Sequence, residues 1–221
     1  MFALSGVLSC MLTRGNSADS LKGATMRTAS QLLEDMGTAV PMPEDTGAVA
    51  QLWELWGREW VEGLVPNDND IYMTMNRHGQ NHRRLPDIVK PDAMAIVCTG
   101  WGAPINPETG TLDADAPSLH PERRRVTLFT VVTPRADVAS RLVMGDDEPT
   151  DDPEGGGVGA LADALDACAV AVWGSEFTSS LVMQYATGKA DGADEATLDR
   201  LIERVANIAP TVREALEGEG E

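Results

Sequence analysis

The chain has 221 residues, of which 35 are acidic and 17 basic, for a net charge of -18. That length suits one ordinary domain with a real core, and a hydrophobic content of 43% excludes a disordered chain. So large a negative surplus opposes non-specific nucleic-acid binding at long range. Arginine outnumbers lysine 14 to 3, a skew that reads as GC-rich coding bias rather than as phosphate recognition.

Residues 1–25 open with an apolar stretch, but no positive residue precedes it and no small-residue cleavage site is clear. They read as a loose N-terminal extension. No run reaches the roughly 18 apolar residues a membrane span needs, so the expectation is a cytoplasmic protein without a membrane partner. Cys10, Cys98 and Cys168 are too few and too scattered for a disulfide framework or a zinc site. Cys98 and Cys168 sit in apolar runs and read as small core residues.

A single domain is expected over residues 26–208. Met26, Ala29, Leu32, Leu33 and Met36 are spaced for one face of a helix. The spacing of Val49, Leu52, Trp53, Trp56, Trp60 and Leu64 predicts a second helix, capped by Asp45 or Thr46 and ended by Pro66. Glu54, Arg58 and Glu62 then form an i, i+4 ladder on its solvent side. The Trp stripe is better read as a core face than as a ligand platform or partner groove. A short strand is predicted at Ile71–Met75.

The run "AMAIVCTGW" (93–101) suits an interior strand. "RVTLFTVV" (125–132) is a second strand, closed by Pro134, and "DVASRLVMG" (137–145) alternates as a neighbouring one, at or near an edge. The chain then reads as an acidic linker at 146–157, a helix at 158–173, an ambiguous stretch at Leu181–Tyr185, and a helix after Asp194. A charged tail follows at 209–221. The fold class is α+β, a small antiparallel meander packed against several helices. Residues 145–221 carry 18 acids and 4 bases.

Two sets of residues are candidates for chemistry. His78 and His82 are four apart, a spacing at which two imidazoles on a helix share a metal, with His120 as a third ligand. Gly79 weakens a helix there, no H-E-x-x-H glutamate is present, and neighbouring arginines disfavour a cation. The primary expectation is therefore no metal and no cofactor. A metal-dependent hydrolase or nuclease using His78, His82 and His120 is the alternative. The second set is Arg77, Arg83 and Arg84 with Arg123, Arg124 and Arg125, which flank the 93–101 strand. They neutralise the protein's own acids, mark the start of a buried strand, or bind an anion or a protein partner bidentately. Phosphate-loop, dinucleotide and nucleophile-elbow motifs are absent.

Residues 93–166, through "AIVCTGWGAP", "PSLHPERRRVTLFTVV" and "GALADAL", resemble a family of uncharacterised actinobacterial and actinophage proteins. The resemblance covers about a third of the chain. It implies the meander and a phage or mobile-element setting, and nothing about mechanism. The combined expectation is a non-catalytic accessory protein that binds a partner through the Arg/His-rich sheet end or its acidic C-terminal region.

Overall fold

The computed structural model describes residues 27–39, 50–63, 71–86, 89–104, 106, 108–109, 119–144, 150–152 and 160–210. The N-terminal extension, most of the acidic linker and the tail beyond 210 lie outside them. Among the described residues the fold is α+β, with five helices and one antiparallel sheet in the order β2 (Glu59–Glu62), β1 (Ala50–Trp56), β3 (Ala93–Gly102), β4 (Arg124–Val132), β5 (Val138–Met144), β6 (Thr150–Asp152).

Helix α1 (Ala29–Ala39) begins at a capping box. The Gln31 amide donates to Thr28 Oγ1 (3.3 Å) while Gln31 Oε1 accepts from the Thr28 amide (3.0 Å). Ala29, Leu32, Leu33 and Met36 are buried as their spacing predicts. They cover one face of the sheet, against Leu55, Ala93, Ala95, Val97, Phe129, Val131 and Ala139.

The second expected helix is instead a hairpin, β1 (Ala50–Trp56) and β2 (Glu59–Glu62). Its tryptophans fit a 3.6-residue period, but the same residues also alternate. Leu52, Glu54 and Trp56 fall on one face, with Trp53 and Leu55 on the other. Trp and Val favour the pleated surface, and Gly57 punctuates the run. Gly57 takes φ 68° as the first of two turn residues, the type II′ pattern that matches strand twist. Its amide donates to Asp92 Oδ2 (2.6 Å), and the Asp92 amide donates to Leu55 O (2.7 Å). The hairpin is thereby fastened to the start of β3.

The predicted strand at Ile71–Met75 is also corrected, because α2 runs from Ile71 to His82. Five residues of alternation are too few to separate strand from helix. Met75, His78, Gly79 and His82 form the buried stripe. Gly79 is the contact point rather than a weakness. A Cβ there would lie 2.7 Å from Ala171 Cβ on the neighbouring helix. Helix propensity alone favours Ala over Gly by about 1 kcal/mol. Here Gly79→Ala is expected to destabilise instead, by about 1–3 kcal/mol, because two rigid methyl groups collide. Urea denaturation of the variant reads the sign directly.

Strands β3 (Ala93–Gly102) and β4 (Arg124–Val132) pair side by side over their whole length, from Met94↔Val132 to Gly102↔Arg124. β5 (Val138–Met144) pairs with β4 as expected, but β6 (Thr150–Asp152) covers its outer side, so β5 is interior. β6 also places three residues of the expected linker in the sheet. Helix α3 (Ala160–Trp173) matches its prediction. The ambiguous Leu181–Tyr185 stretch lies inside α4 (Ser175–Asp191), which ends at Gly192 in the left-handed conformation, φ 77°. Helix α5 (Glu195–Ile208) is capped by Asp194, whose Oδ1 accepts from the Thr197 amide at 2.9 Å.

Helices α2–α5 cover the second face of the sheet. Met75, Leu165, Val172, Phe177, Leu181 and Val205 pack there on Leu52, Met94, Ile96 and Val132. The sheet is therefore sandwiched, with α1 on one side and four helices on the other. Cys168 is buried in this core and Cys98 half-buried, both as free thiols. Burial pushes each thiol up to about 12.

Candidate functional site

Glu54 belongs to the β1 face that looks toward α2, between Leu52 and Trp56. A carboxylate placed in a core must find partners there. Glu54 Oε1 lies 2.5 Å from His82 Nε2 and 2.8 Å from His78 Nε2. Its other oxygen, Oε2, accepts from Trp56 Nε1 at 2.8 Å. The helical spacing of 78 and 82 brings the two imidazoles together, with ring centroids 4.6 Å apart and planes tilted by 53°. Glu54, His78 and His82 are 5%, 2% and 5% exposed, so bulk water does not compete for this cluster.

Burial alone would push the Glu54 carboxyl up. The imidazole N–H groups of His78 and His82, and the positive charge they can carry, outweigh it and hold the group at about 2. Two polar atoms remain unsatisfied. His78 Nε2 approaches the carboxylate off the hydrogen-bonding axis, and His82 Nδ1 has no partner. Among the described residues, Glu54, His78 and His82 form a group whose ligand atoms all lie within 4.8 Å of one another.

His120 is not in that group. Glu54 pairs with Met94, whereas His120 precedes β4, whose first residue Arg124 pairs with Gly102. Eight strand residues, about 26 Å, separate those positions along β3. His120 is nevertheless placed by structure. Its Nδ1 accepts from the Glu122 amide at 3.1 Å, and its carbonyl accepts from the Arg123 amide at 3.2 Å. It shapes the turn that leads into β4.

The six arginines likewise divide between two places. Arg83 and Arg84 follow the C-terminus of α2, near the Glu54 end of the sheet. Arg83 lines a cleft of about 590 Å³ with Lys90, Trp173 and Glu176. Arg77 is exposed on α2 itself. Arg123, Arg124 and Arg125 stand at the opposite end. The antiparallel register that joins β3 to β4 is what sends the two groups apart.

At that opposite end, Trp101 pairs with Arg125 across the strands and is 43% exposed. The guanidinium carbons of Arg123 and Arg125 lie 5.3 and 5.8 Å from its ring centroid, within cation–π range. Arg125 also donates to Thr99 Oγ1 (3.2 Å). Arg124, one residue out of phase, points to the other face.

Sequence reasoning missed two of these residues. Glu54 is hidden by the helical reading of its segment, which sends it to solvent. The period-two pattern Leu52, Glu54, Trp56 is the signal that finds it. Trp101 reads as the end of an apolar strand, and only the register brings Arg123 and Arg125 to it. No helix among the described residues is long and apolar enough to cross a membrane. No protein family, curated protein or solved structure matches this chain, so its functional reading rests on the geometry of these two places.

Proposed function

We propose that the protein is a non-catalytic interaction protein that docks an acidic protein segment at the Trp101 end of β3 and β4. The observation that carries this reading is the exposed indole with two guanidinium groups over its ring. Trp and Arg dominate the energetics of protein interfaces, because each buries a large surface and Arg holds carboxylates bidentately. Exposed Leu119 (66%) lies on the turn before β4 and adds apolar area at this end of the sheet.

A protein segment suits this end better than a nucleic acid. A duplex presents a charge every 1.7 Å or so, and a chain of net charge -18 repels it. A segment with one or two carboxylates meets the arginines within a Debye length of about 8–10 Å, where the distant acids are screened. The acidic helices α3–α5 would then face away from it. The hydrolase or nuclease alternative would have to work without His120.

The test is affinity capture from the native host with the wild-type chain and with a Trp101→Ala, Arg123→Ala variant of matched thermal stability. Loss of a central Trp and its Arg neighbour is expected to weaken retention at least tenfold. Equal recovery by both proteins, or no retained partner with the wild type, removes the reading.

A further inference from the structure

We propose that Glu54, His78 and His82 bind one divalent transition-metal ion of the zinc type, which pins α2 to β1. This inference concerns the other end of the sheet and does not depend on the partner reading above.

Three observations carry it. The donor set is two imidazole nitrogens and one carboxylate oxygen, a combination suited to zinc. The three donor atoms converge from two elements that are far apart in sequence, and they do so in a core that is nearly closed to water. The hydrogen bonding alone does not satisfy the cluster. Both Nε2 atoms crowd a single oxygen at 2.5 and 2.8 Å, and the His78 nitrogen meets it off-axis. A native core ordinarily leaves few buried polar groups in that state.

The fit is close. Ligand bonds of about 2.0–2.2 Å in a tetrahedron set donor atoms about 3.4 Å apart. The imidazoles and Oε1 therefore need to separate by less than 1 Å to admit the ion. Trp56 already holds Oε2, which orients the carboxylate as an outer-shell donor does at a metal site. Cys168 lies outside the donor group, with its thiol kept protonated by burial. The fourth position falls to water or a small exogenous ligand. With three nearly inaccessible ligands, the ion's role is to hold the helix on the strand.

The chain, stripped with chelator and dialysed, is titrated with Zn²⁺ and separately with Co²⁺. The expected result is one ion per chain, a rise in melting temperature with Zn²⁺ that chelator reverses, and visible d–d absorption with Co²⁺. The conservative variants His78→Gln and His82→Gln should bind about 100-fold more weakly or worse, while His120→Ala binds as the wild type does. Because a triad variant can fail to fold, the wild-type titration stands by itself. A folded wild-type chain that takes up no Zn²⁺ at micromolar concentration and shows no change in melting temperature overturns the site. So does binding that His120→Ala abolishes, or that folded His78→Gln and His82→Gln variants leave unchanged.

Discussion

Replacing Glu54 by alanine is expected to cost on the order of 3–5 kcal/mol of folding stability, enough to unfold many domains of this size. The carboxylate accepts from buried His82 Nε2 and half-buried Trp56 Nε1, and it lies 2.8 Å from His78 Nε2 as that imidazole's counter-charge. Removing it takes the acceptor from His82 and Trp56 and the counter-charge from both imidazoles, and leaves a cavity behind. Glu54→Gln keeps the volume but puts an amide where two imidazole donors converge, so it should also destabilise, by less. Urea titration in chelator, with far-UV circular dichroism as the readout, measures both.

The same carboxylate gives the metal-free protein a defined acid limb. Glu54 ionises near 2 when folded, against an ordinary value near 4.5. A depressed acid contributes stability that is fully present above the unfolded value and fades as pH falls through the folded one. The stability gap between wild type and Glu54→Gln should therefore hold above about pH 4.5 and close between 4.5 and 2. A gap that stays constant down to pH 2 would show that the carboxylate is not held in its charged form by these partners.

Replacing Arg204 is the second large effect. Its Nε and second terminal nitrogen donate to the two oxygens of Asp166, at 2.7 and 2.9 Å, and its remaining nitrogen donates to Ala136 O at 3.2 Å. One side chain thereby ties α5 to α3 and to the β4–β5 turn. Asp166 is only 3% exposed, so Arg204→Leu leaves a buried carboxylate with no cation. A loss of about 3–5 kcal/mol is expected, with α5 detaching first. Hydrogen exchange of α5 amides and the global unfolding midpoint measure the two parts. The double variant Asp166→Leu, Arg204→Leu should recover much of the loss, because no lone charge remains in the core. A double variant as unstable as Arg204→Leu alone would assign the effect to packing.

Much of the fold was legible in the residues themselves. The apolar run from Ala93 and the β-branched run from Arg125 could be matched to adjacent strands, because a continuous greasy segment of that length suits the middle of a sheet covered on both faces. Asp194 announced α5 through the capping preference of a short acceptor side chain. The segment from Ala50 to Glu62 was misread because Trp53, Trp56 and Trp60 satisfy two periods at once. The choice between them belongs to β3, whose open edge gives β1 a ladder that an isolated segment does not have. The same error concealed Glu54, and with it the acceptor that makes sense of His78 and His82.

The sequence alone determined the α+β class, the β3–β4 pairing, and the presence of α1, α3 and α5. These follow from local propensity and periodicity, which each segment carries with it. The tertiary structure decided the rest. It set Glu54 against the two imidazoles, sent Arg83 and Arg84 to one end of the sheet and Arg123–Arg125 to the other, and laid two guanidinium groups over Trp101. Each of those arrangements depends on the register between strands and on which face a helix covers, and neither is encoded within a single stretch of chain.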